Sequence, residues 1–479
     1  MDLSQEQAAV VTYEGPLLVV KAFAGAGKTT TLYEFVLRRP GEKILYLSFN
    51  RANIEHAKRK FAGMKNVECV TSHALARKFF SFDNKKIGDT SAFALQNNFD
   101  LSEDFAEAVL AGIDAFIHSG AAVLLHEHIP TTIPKDDIDV FYLACGQVWS
   151  SMVNPSDMRT RISHDGYLKL ADLENKKFFY DYILFDEAQD ANPATVSWVL
   201  KQSGKKIFVG DEHQAIYSFR GSINALDNLP GADRLYLTES FRFGAGIAGY
   251  ANLLLSQIKH SETLIVPAGR HPSSFTVDRS AGRLVLSRAN YSLFDSAADC
   301  AIKGIPFGFV GEFNSYRFME VLDVWRLHSN RRKEIVSAKI KEFRSYSHFN
   351  EYAEKHDKKD LLLLRNLMDK HGSNVSDLVW LISQTYLPDK LPDDAVVLST
   401  AHKAKGSEHM SVELADDFTL DYGKGCALTK EATEEANILY VALTRSIQNL
   451  GIPKSVENFL GQLQRQKNSP QTTRAVYNG

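Results

Sequence analysis

The sequence has 479 residues, enough for about three domains at roughly 150 residues each, and 44% of them are hydrophobic. A formal net charge of −3 argues against a protein that coats nucleic acid with its whole surface, so a nucleic-acid site would be a local groove. Four cysteines without a Cys-x-x-Cys pair argue against a zinc ribbon, a locally spaced iron–sulfur cluster and a disulfide scaffold, and favour reduced thiols. The N-terminus has no signal-peptide pattern and no apolar run is long enough to cross a membrane. We therefore expect an intracellular protein without a membrane partner, in the cytoplasm or nucleoid of a bacterium or the nucleus of a eukaryote.

Short apolar runs alternate with amphipathic segments along the chain. In chain order, the predicted strands are LLVV (17–20), KILYLSF (43–49), VECVTS, YILFDEA, KKIFVGD, RLYLTES, RLVLSRA, FGFVG, AVVLST and MSVELAD. TLYEFVLRR and a segment from about Arg51 are predicted helices, and EEANILYVALTRS (434–446) is a predicted helix that ends at Arg445. Strands separated by helices predict βαβ units, and therefore an α/β fold with parallel sheets.

The segment AFAGAGKTT (22–30) follows the first strand and opens a helix. Gly25 and Gly27 let backbone N–H groups close around phosphate oxygens, and the helix N-terminus adds a favourable dipole. Lys28 can neutralise β- and γ-phosphates, and the hydroxyl of Thr29 can ligate Mg²⁺. Ala22 replaces the first glycine of the strict P-loop pattern, and the strand–loop–helix order argues against a chance glycine-rich turn.

Two adjacent carboxylates end the apolar strand in YILFDEAQD (182–190). Asp186 can hold the hydrated Mg²⁺ of a P-loop nucleotide, and Glu187 is then placed to polarise the attacking water. Paired acids alone are usually surface residues, but their position after an apolar strand favours this chemistry.

The next strand leads into GDEHQAIYSFRG (210–221). Gln214 suits sensing of a γ-phosphate or positioning of water. Tyr217 and Phe219 alternate with Arg220, and aromatic faces beside cations suit stacking on single-stranded bases. Two core aromatics on a loop are the alternative.

The second half carries its own set of charged motifs. LTESFRFG supplies Phe241 and Arg242, STAHKAKGSE supplies His402 and Glu408, and the predicted helix supplies Arg445. Single arginines are most often surface residues. Arginines from a second lobe can, however, reach a γ-phosphate and stabilise transition-state charge.

The ordered set AFAGAGKTT, LSFNRAN, TSHALA, DEAQD, GDEHQAIYSFRG, TESFRFG, TAHKAKGSE and LYVALTR resembles the UvrD/Rep-like branch of superfamily 1 helicases over roughly residues 3–452. Within it, HDGYLKL, KIFVGDEHQAIYSFRGSINAL and LTESFRFG look most like the helicase part of the eukaryotic F-box DNA helicases. LSQEQAAV, the adenine-reading segment of such helicases, stands at the start, so we expect no F-box ahead of the motor.

The resemblance implies two RecA-like P-loop lobes with parallel sheets, each with a mainly helical insertion, and ATP in the cleft between them. We expect the first lobe at 1–75 and 165–232 with its insertion at 76–164. The second lobe is expected at 233–314 and 393–460 with a short insertion at 315–392, followed by a flexible tail at 461–479.

Carried over by position, the resemblance also assigns site residues. The nucleotide pocket would comprise the P-loop residues Ala22, Phe23, Ala24, Gly25, Ala26, Gly27, Lys28, Thr29 and Thr30, with Gln7 at the adenine edge, Phe241 stacked on the base and Glu408 near the ribose. The hydrolytic set would be Lys28, Thr29, Asp186, Glu187 and Gln214, with Arg220, Arg242 and Arg445 facing the phosphates. The DNA contacts would be Phe49, Asn50, His73, Tyr217, Phe219 and His402. Thr30 stands where many relatives carry Arg, and Phe219 where many carry Trp.

The implied activity is that of an ATP- and Mg²⁺-dependent translocase on single-stranded DNA that unwinds tailed duplexes in DNA repair or recombination, and the resemblance alone implies its 3′→5′ polarity. A second hypothesis keeps the motor but has it strip a recombinase or another protein from single strands. A third is a nucleotide-gated DNA-binding switch. The presence of Glu187, Gln214 and Arg445 disfavours it, because a switch needs no water-activating group.

Overall fold

The computed structural model describes residues 3–216, 226, 229–387, 391–418 and 429–467. The chain divides into two compact units, Met1–Glu239 and Ser240–Gly479. Within the described residues, Cys69, Cys145 and Cys300 are free thiols, and no helix is both long and apolar enough to cross a membrane.

A six-stranded sheet forms the centre of the first unit, and all its neighbouring strands run parallel. In spatial order the strands are β3 (Val67–Thr71), β2 (Ile44–Ser48), β4 (Tyr182–Asp186), β5 (Lys205–Gly210), β1 (Leu17–Ala22) and β6 (Asp233–Leu237). Both faces of this sheet are covered. In β1, Val19 packs into one hydrophobic core, whereas Leu18 and Val20 pack into the core on the other face. This burial explains why the strands read as continuous apolar runs.

Nine α-helices accompany the sheet among the described residues of this unit. They are α1 (Gln5–Val11), α2 (Lys28–Leu37), α3 (Arg51–Lys60), α4 (Ser72–Arg77), α5 (Ala92–Phe99), α6 (Glu103–His118), α7 (Ile138–Val153), α8 (His164–Leu173) and α9 (Pro193–Leu200). Helices α5, α6 and α7 share a separate core built around Leu95, Ile113 and Phe141. Residues 76–164 therefore have the helical character that the sequence predicts.

The strand β6 corrects the predicted boundary between the lobes. The sequence predicts that RLYLTES lies at the start of the second lobe, which is expected from residue 233. In the structure, β6 pairs with β1 in the first sheet, with Val20 opposite Leu235. The first unit accordingly extends to Glu239.

The second unit contains a five-stranded parallel sheet. Its spatial order is β10 (Phe307–Phe309), β11 (Val396–Thr400), β9 (Arg283–Ser287), β12 (His409–Leu414) and β13 (Ser446–Gly451), and a two-stranded sheet pairs β7 (Glu239–Ser240) with β8 (Val266–Pro267). The helices are α10 (Ala245–Gln257), α11 (Asn290–Lys303), α12 (Phe318–His328), α13 (Ala338–Lys341), α14 (Tyr346–Lys355), α15 (Lys359–His371), α16 (Val375–Thr385), α17 (Lys430–Leu443) and α18 (Lys454–Lys467). Helix α11 packs on β9 and β11, whereas α12 packs against α13 to α16.

Two helix ends differ from the sequence prediction. Helix α17 ends at Leu443, so Arg445 lies beyond it, directly before β13. Residues 461–467, predicted as flexible tail, form the last turns of α18, whose Leu460 and Leu463 are buried. The apolar spacing within this polar segment holds the helix on the second unit, where α18 packs against α10.

Candidate nucleotide and DNA sites

The loop between β1 and α2 has the backbone geometry of a phosphate-binding turn. Gly25 and Gly27 both have left-handed backbone angles, with φ of 77° and 76°. Gly27 directly precedes Lys28, the first residue of α2. The first N–H groups of a helix lack intrahelical partners and attract anions. The predicted P-loop residues therefore lie where a polyphosphate would meet the start of α2.

The acidic pair lies at the end of β4, which is separated from β1 only by β5. Asp186 is buried, and its carboxylate accepts hydrogen bonds from the Tyr46 hydroxyl and, at 2.9 Å, from the backbone N–H of Glu187. Lys28 Nζ lies 3.4 Å from Oε1 of Glu187. The fold thus brings the predicted phosphate ligand and the predicted water-activating base together.

Electrostatics at this pair suit a divalent cation. Burial raises the pKa of Asp186 to about 6, the charge of Glu187 adds to the rise, and Lys28 opposes it. Adjacent carboxylates that repel one another in a buried place are stabilised by a hard cation with oxygen ligands. The Asp186 carboxylate and the hydroxyl of Thr29, which directly follows Lys28 in α2, are oxygen ligands of the kind that Mg²⁺ prefers.

Gln189 joins the loops that follow β4 and β5. Its Nε2 donates to Oε2 of Glu187 at 2.5 Å, and its Oε1 accepts from the backbone N–H of Asp211 at 3.2 Å. Glu187 itself has a left-handed backbone, with φ of 55°. A non-glycine residue in this region is uncommon and is held there by its surroundings. Neither Gln189 nor Asp211 was predicted as a site residue from the sequence. The available signal was their position within the motifs DEAQD and GDEHQ.

Gln214 is held by the same loop. Its Nε2 donates to Oδ2 of Asp211 at 2.7 Å, and Asp211 also caps the turn by accepting from the N–H of His213. The His213 ring stacks on Phe23 of the P-loop, with ring centroids 5.7 Å apart. The predicted γ-phosphate sensor is therefore buried and connected to the phosphate loop.

Gln7 of α1 also contacts the P-loop. Its Oε1 accepts from the N–H of Ser4 in a capping box, and its Nε2 donates to the carbonyl of Ala26 at 3.4 Å. Near the P-loop, Lys60 donates to Oγ1 of Thr30 at 2.8 Å and lies 5.8 Å from the ring centroid of Tyr33. Burial lowers the pKa of Lys60. This cation beside Thr30 was not anticipated from the sequence, and adenine recognition by Gln7 stays a prediction.

In the second unit, several predicted nucleotide residues lie together. Arg242 Nε donates to Oε2 of Glu408 at 2.8 Å, and its NH1 donates to the carbonyl of Thr444. Phe241, beside Arg242, is 45% exposed, as a residue that stacks on a ligand would need to be. The predicted phosphate-facing arginine thus forms an ion pair with the predicted ribose-contacting carboxylate.

Arg445 is almost completely buried within the second unit. Its guanidinium donates to the carbonyls of Val441 and Ser407, at 3.0 and 3.1 Å. A third bond, at 3.2 Å, runs to the hydroxyl of Thr444. Contact of Arg445 with a γ-phosphate stays a prediction, and in this structure the side chain stabilises its own unit.

The predicted DNA contacts are only partly described. Phe49 and His73 lie together, with ring centroids 5.1 Å apart and an edge-to-face arrangement. Asn50 caps α3 by accepting from the N–H of Ala52. His402 is half-buried in the loop after β11 of the second unit. The predicted DNA contacts Tyr217 and Phe219 and the predicted phosphate-facing Arg220 lie outside the described residues.

A phosphate loop after β1 and an acidic pair after β4, two strands away in the same sheet, define the first unit as a P-loop nucleotide-binding domain.

Residues 163–229 match the family model described as UvrD/REP helicase N-terminal domain. The chain is 29% identical to F-box DNA helicase 1 of Gallus gallus, over 96% of this chain and 50% of that protein. It is 32% identical to F-box DNA helicase protein 1 of Schizosaccharomyces pombe, over 94% of this chain and 57% of that protein. A probable DNA helicase II homolog of Mycoplasma capricolum is 22% identical, over 70% of this chain and 51% of that protein.

These matches and the ordered motifs agree, and together they support a UvrD/Rep-like superfamily 1 helicase. The chain spans about half the length of the curated relatives that it matches.

Proposed function

We propose that this protein is an ATP-dependent, Mg²⁺-requiring motor that translocates on single-stranded DNA and unwinds duplexes. The observation that carries the proposal is the connected set in the first unit, in which Lys28 contacts Glu187 and Gln189 links Glu187 to Asp211. Relatives that are named DNA helicases support DNA as the substrate.

Each residue of this set has a role in hydrolysis. Lys28 and the N–H groups of the P-loop hold the β- and γ-phosphates. Bound Mg²⁺, held through Asp186 and Thr29, would offset phosphate charge. Glu187 accepts the proton of the attacking water, while Lys28 and Gln189 fix the position of its carboxylate before substrate arrives.

Gln214 has the position of a sensor. Asp211 fixes its amide, and the stacked pair of Phe23 and His213 ties the same turn to the P-loop. A change at the γ-phosphate would therefore be passed to the loop that continues toward Tyr217 and Phe219, the residues proposed to stack on bases. In the second unit, Arg242 and Arg445 supply the cations proposed to stabilise transition-state charge.

We further propose 3′→5′ polarity and a role in DNA repair or recombination, both by analogy with the family. The test measures ATP hydrolysis and strand displacement on 3′-tailed, 5′-tailed and blunt DNA, with matched RNA strands. Displacement of only the 3′-tailed DNA supports the proposal, whereas displacement of only the 5′-tailed DNA contradicts the polarity.

The same measurements on naked DNA and on recombinase-coated DNA separate the alternative activities. Clearance of a recombinase from single strands without duplex separation would identify a protein-stripping translocase. Nucleotide-dependent DNA binding without turnover would identify a switch.

A further inference from the structure

The carboxylate of Asp165, the second residue of α8, joins three elements of the first unit that are separate in sequence. His73 Nε2 of α4 lies 3.0 Å from its Oδ1, and Asn192 Nδ2 donates to the same oxygen at 3.1 Å. His118 Nε2, at the end of α6, lies 3.5 Å from its Oδ2. The Asp165 side chain is only 21% exposed, so these contacts form in a place with limited solvent.

Through His73, Asp165 is connected to the predicted DNA contacts. His73 packs edge-on against Phe49, and these are two of the residues that match DNA-contacting positions. Since Asp165 accepts from Nε2 of His73, it fixes the ring orientation and favours the tautomer with a proton on Nε2.

Through Asn192, Asp165 is connected to the segment that follows Glu187. Asn192 lies five residues beyond Glu187, a spacing read from the sequence, and follows the turn Ala188–Asp190. It is the N-cap of α9, where its Oδ1 accepts from the N–H of Thr195 at 2.8 Å. Its Nδ2 is directed to Asp165. A short covalent segment and two hydrogen bonds therefore connect Glu187 with His73.

His118 binds the same carboxylate in a different way. Its Nδ1 is engaged with the carbonyl of Asp114 at 2.7 Å, and a carbonyl can only accept. Nε2 can thus donate to Asp165 only when the ring is protonated. Burial lowers the pKa of His118, but the interaction with Asp165 outweighs it and the net shift is upward. Likewise, burial raises the pKa of Asp165, and hydrogen bonds to His118 and His73 bring it below the ordinary range.

We propose that Asp165 is a positioning residue that holds His73 for the DNA strand and links it to the segment following Glu187. This inference rests on the proposed function, because it concerns how single-stranded DNA stimulates hydrolysis. Asp165 touches neither nucleotide nor strand in this account and acts through His73 and Asn192.

The test is the ratio of ATP turnover with saturating single-stranded DNA to turnover without it. Asp165→Asn removes the charge but keeps the size, and we expect the ratio to fall roughly fivefold or more, the lower end of measured couplings between sites. The double variant Asp165→Asn/His73→Gln should lose no more than the worse single variant, because both changes break one interaction.

His118→Gln is the matched control, since it contacts the same carboxylate but has no contact with Phe49 among those described. It should keep the wild-type ratio. Asn192→Ser preserves an N-cap residue while it removes the amide that reaches Asp165, so it should lower the ratio even where Asp165→Asn fails to fold.

A folded Asp165→Asn protein with the wild-type ratio would overturn the proposal. Additive losses in the double variant, or an equal loss in His118→Gln, would also overturn it. A wild-type protein whose turnover does not respond to DNA would instead contradict the proposed function itself.

Discussion

The ammonium of Lys28 lies 3.4 Å from Oε1 of Glu187, and both side chains are 12% exposed. This ion pair joins the first residue of α2 to the residue directly after β4. A γ-phosphate would compete with Glu187 for the same cation. In the proposed function, nucleotide binding would therefore release Glu187 for its role on water, and the ion pair would be the resting state of the site.

Lys28→Ala should abolish DNA-stimulated ATP turnover, because the phosphates lose their positioned cation. Lys58→Ala is the control, since Lys58 is an exposed lysine of α3 paired with Glu55. Turnover is measured by phosphate release with and without single-stranded DNA. Near-normal hydrolysis in Lys28→Ala would remove this loop from the active site.

Glu187→Gln should separate nucleotide binding from hydrolysis. The amide keeps the size of the side chain but cannot accept the proton of water, so hydrolysis should fall by roughly 10²–10⁴-fold while ATP still binds. Equilibrium nucleotide binding and single-turnover hydrolysis check this, with Glu55→Gln as an exposed control. If ATP affinity disappeared together with hydrolysis, Glu187 would have a structural role.

Gly210→Ala should destabilise the first unit. A Cβ at this position would lie 2.1 Å from Oε1 of Gln189, which is fixed by the N–H of Asp211. We expect a loss of about 1–3 kcal/mol in the free energy of unfolding, the usual cost of overpacking. Gly146→Ala in α7 is the control, because nothing lies within 4 Å of its added Cβ. Denaturant unfolding measures both, and equal stability of the two variants would contradict the packing.

Asp186→Asn should make the metal-free protein more stable at pH 8 than the wild type. Since burial raises the pKa of Asp186 to about 6 from 3.8, the folded state binds this proton more tightly than the unfolded state. The wild type therefore loses stability as the pH rises from about 4 to 6 and does not regain it above. The difference in melting temperature between variant and wild type should shrink as the pH falls below 6. A difference independent of pH would contradict the raised pKa.

Arg445→Ala should lower the melting temperature, because the carbonyls of Val441 and Ser407 would each lose the donor that this buried guanidinium supplies. A hydrogen bond from a charged group contributes about 1.5–3 kcal/mol. Arg279→Ala is the control, since that side chain is 76% exposed. An unchanged melting temperature together with lost turnover would show that Arg445 serves catalysis alone.

The sequence predicts strands well where the run is mainly apolar. All ten predicted runs contain or form strands, and the interior strands β2 and β4 are buried along their whole length, as a parallel sheet covered on both sides requires. The run SIQNLG escaped prediction because β13 carries polar residues such as Gln448 and Asn449. The place of β6 also escaped, since local sequence does not say which strand will be its neighbour.

Some residues of the candidate site could be predicted from local motifs, whereas others depend on how the strands pair. Motif spacing predicted Lys28, Glu187 and Gln214, and the fold brings Lys28 and Glu187 into contact. The residues that hold them depend on the register between β4 and β5, which places Asp186 opposite Val209. Gln189 and Asp211 meet only because of that register, so no local pattern could reveal their bond.

The central claim is tested most directly by ATP turnover of the wild-type protein, measured with and without single-stranded DNA in the presence of Mg²⁺. The account predicts that turnover requires Mg²⁺, rises when single-stranded DNA is added and disappears in Lys28→Ala. Turnover that is absent under all conditions, or that does not respond to DNA, would contradict it.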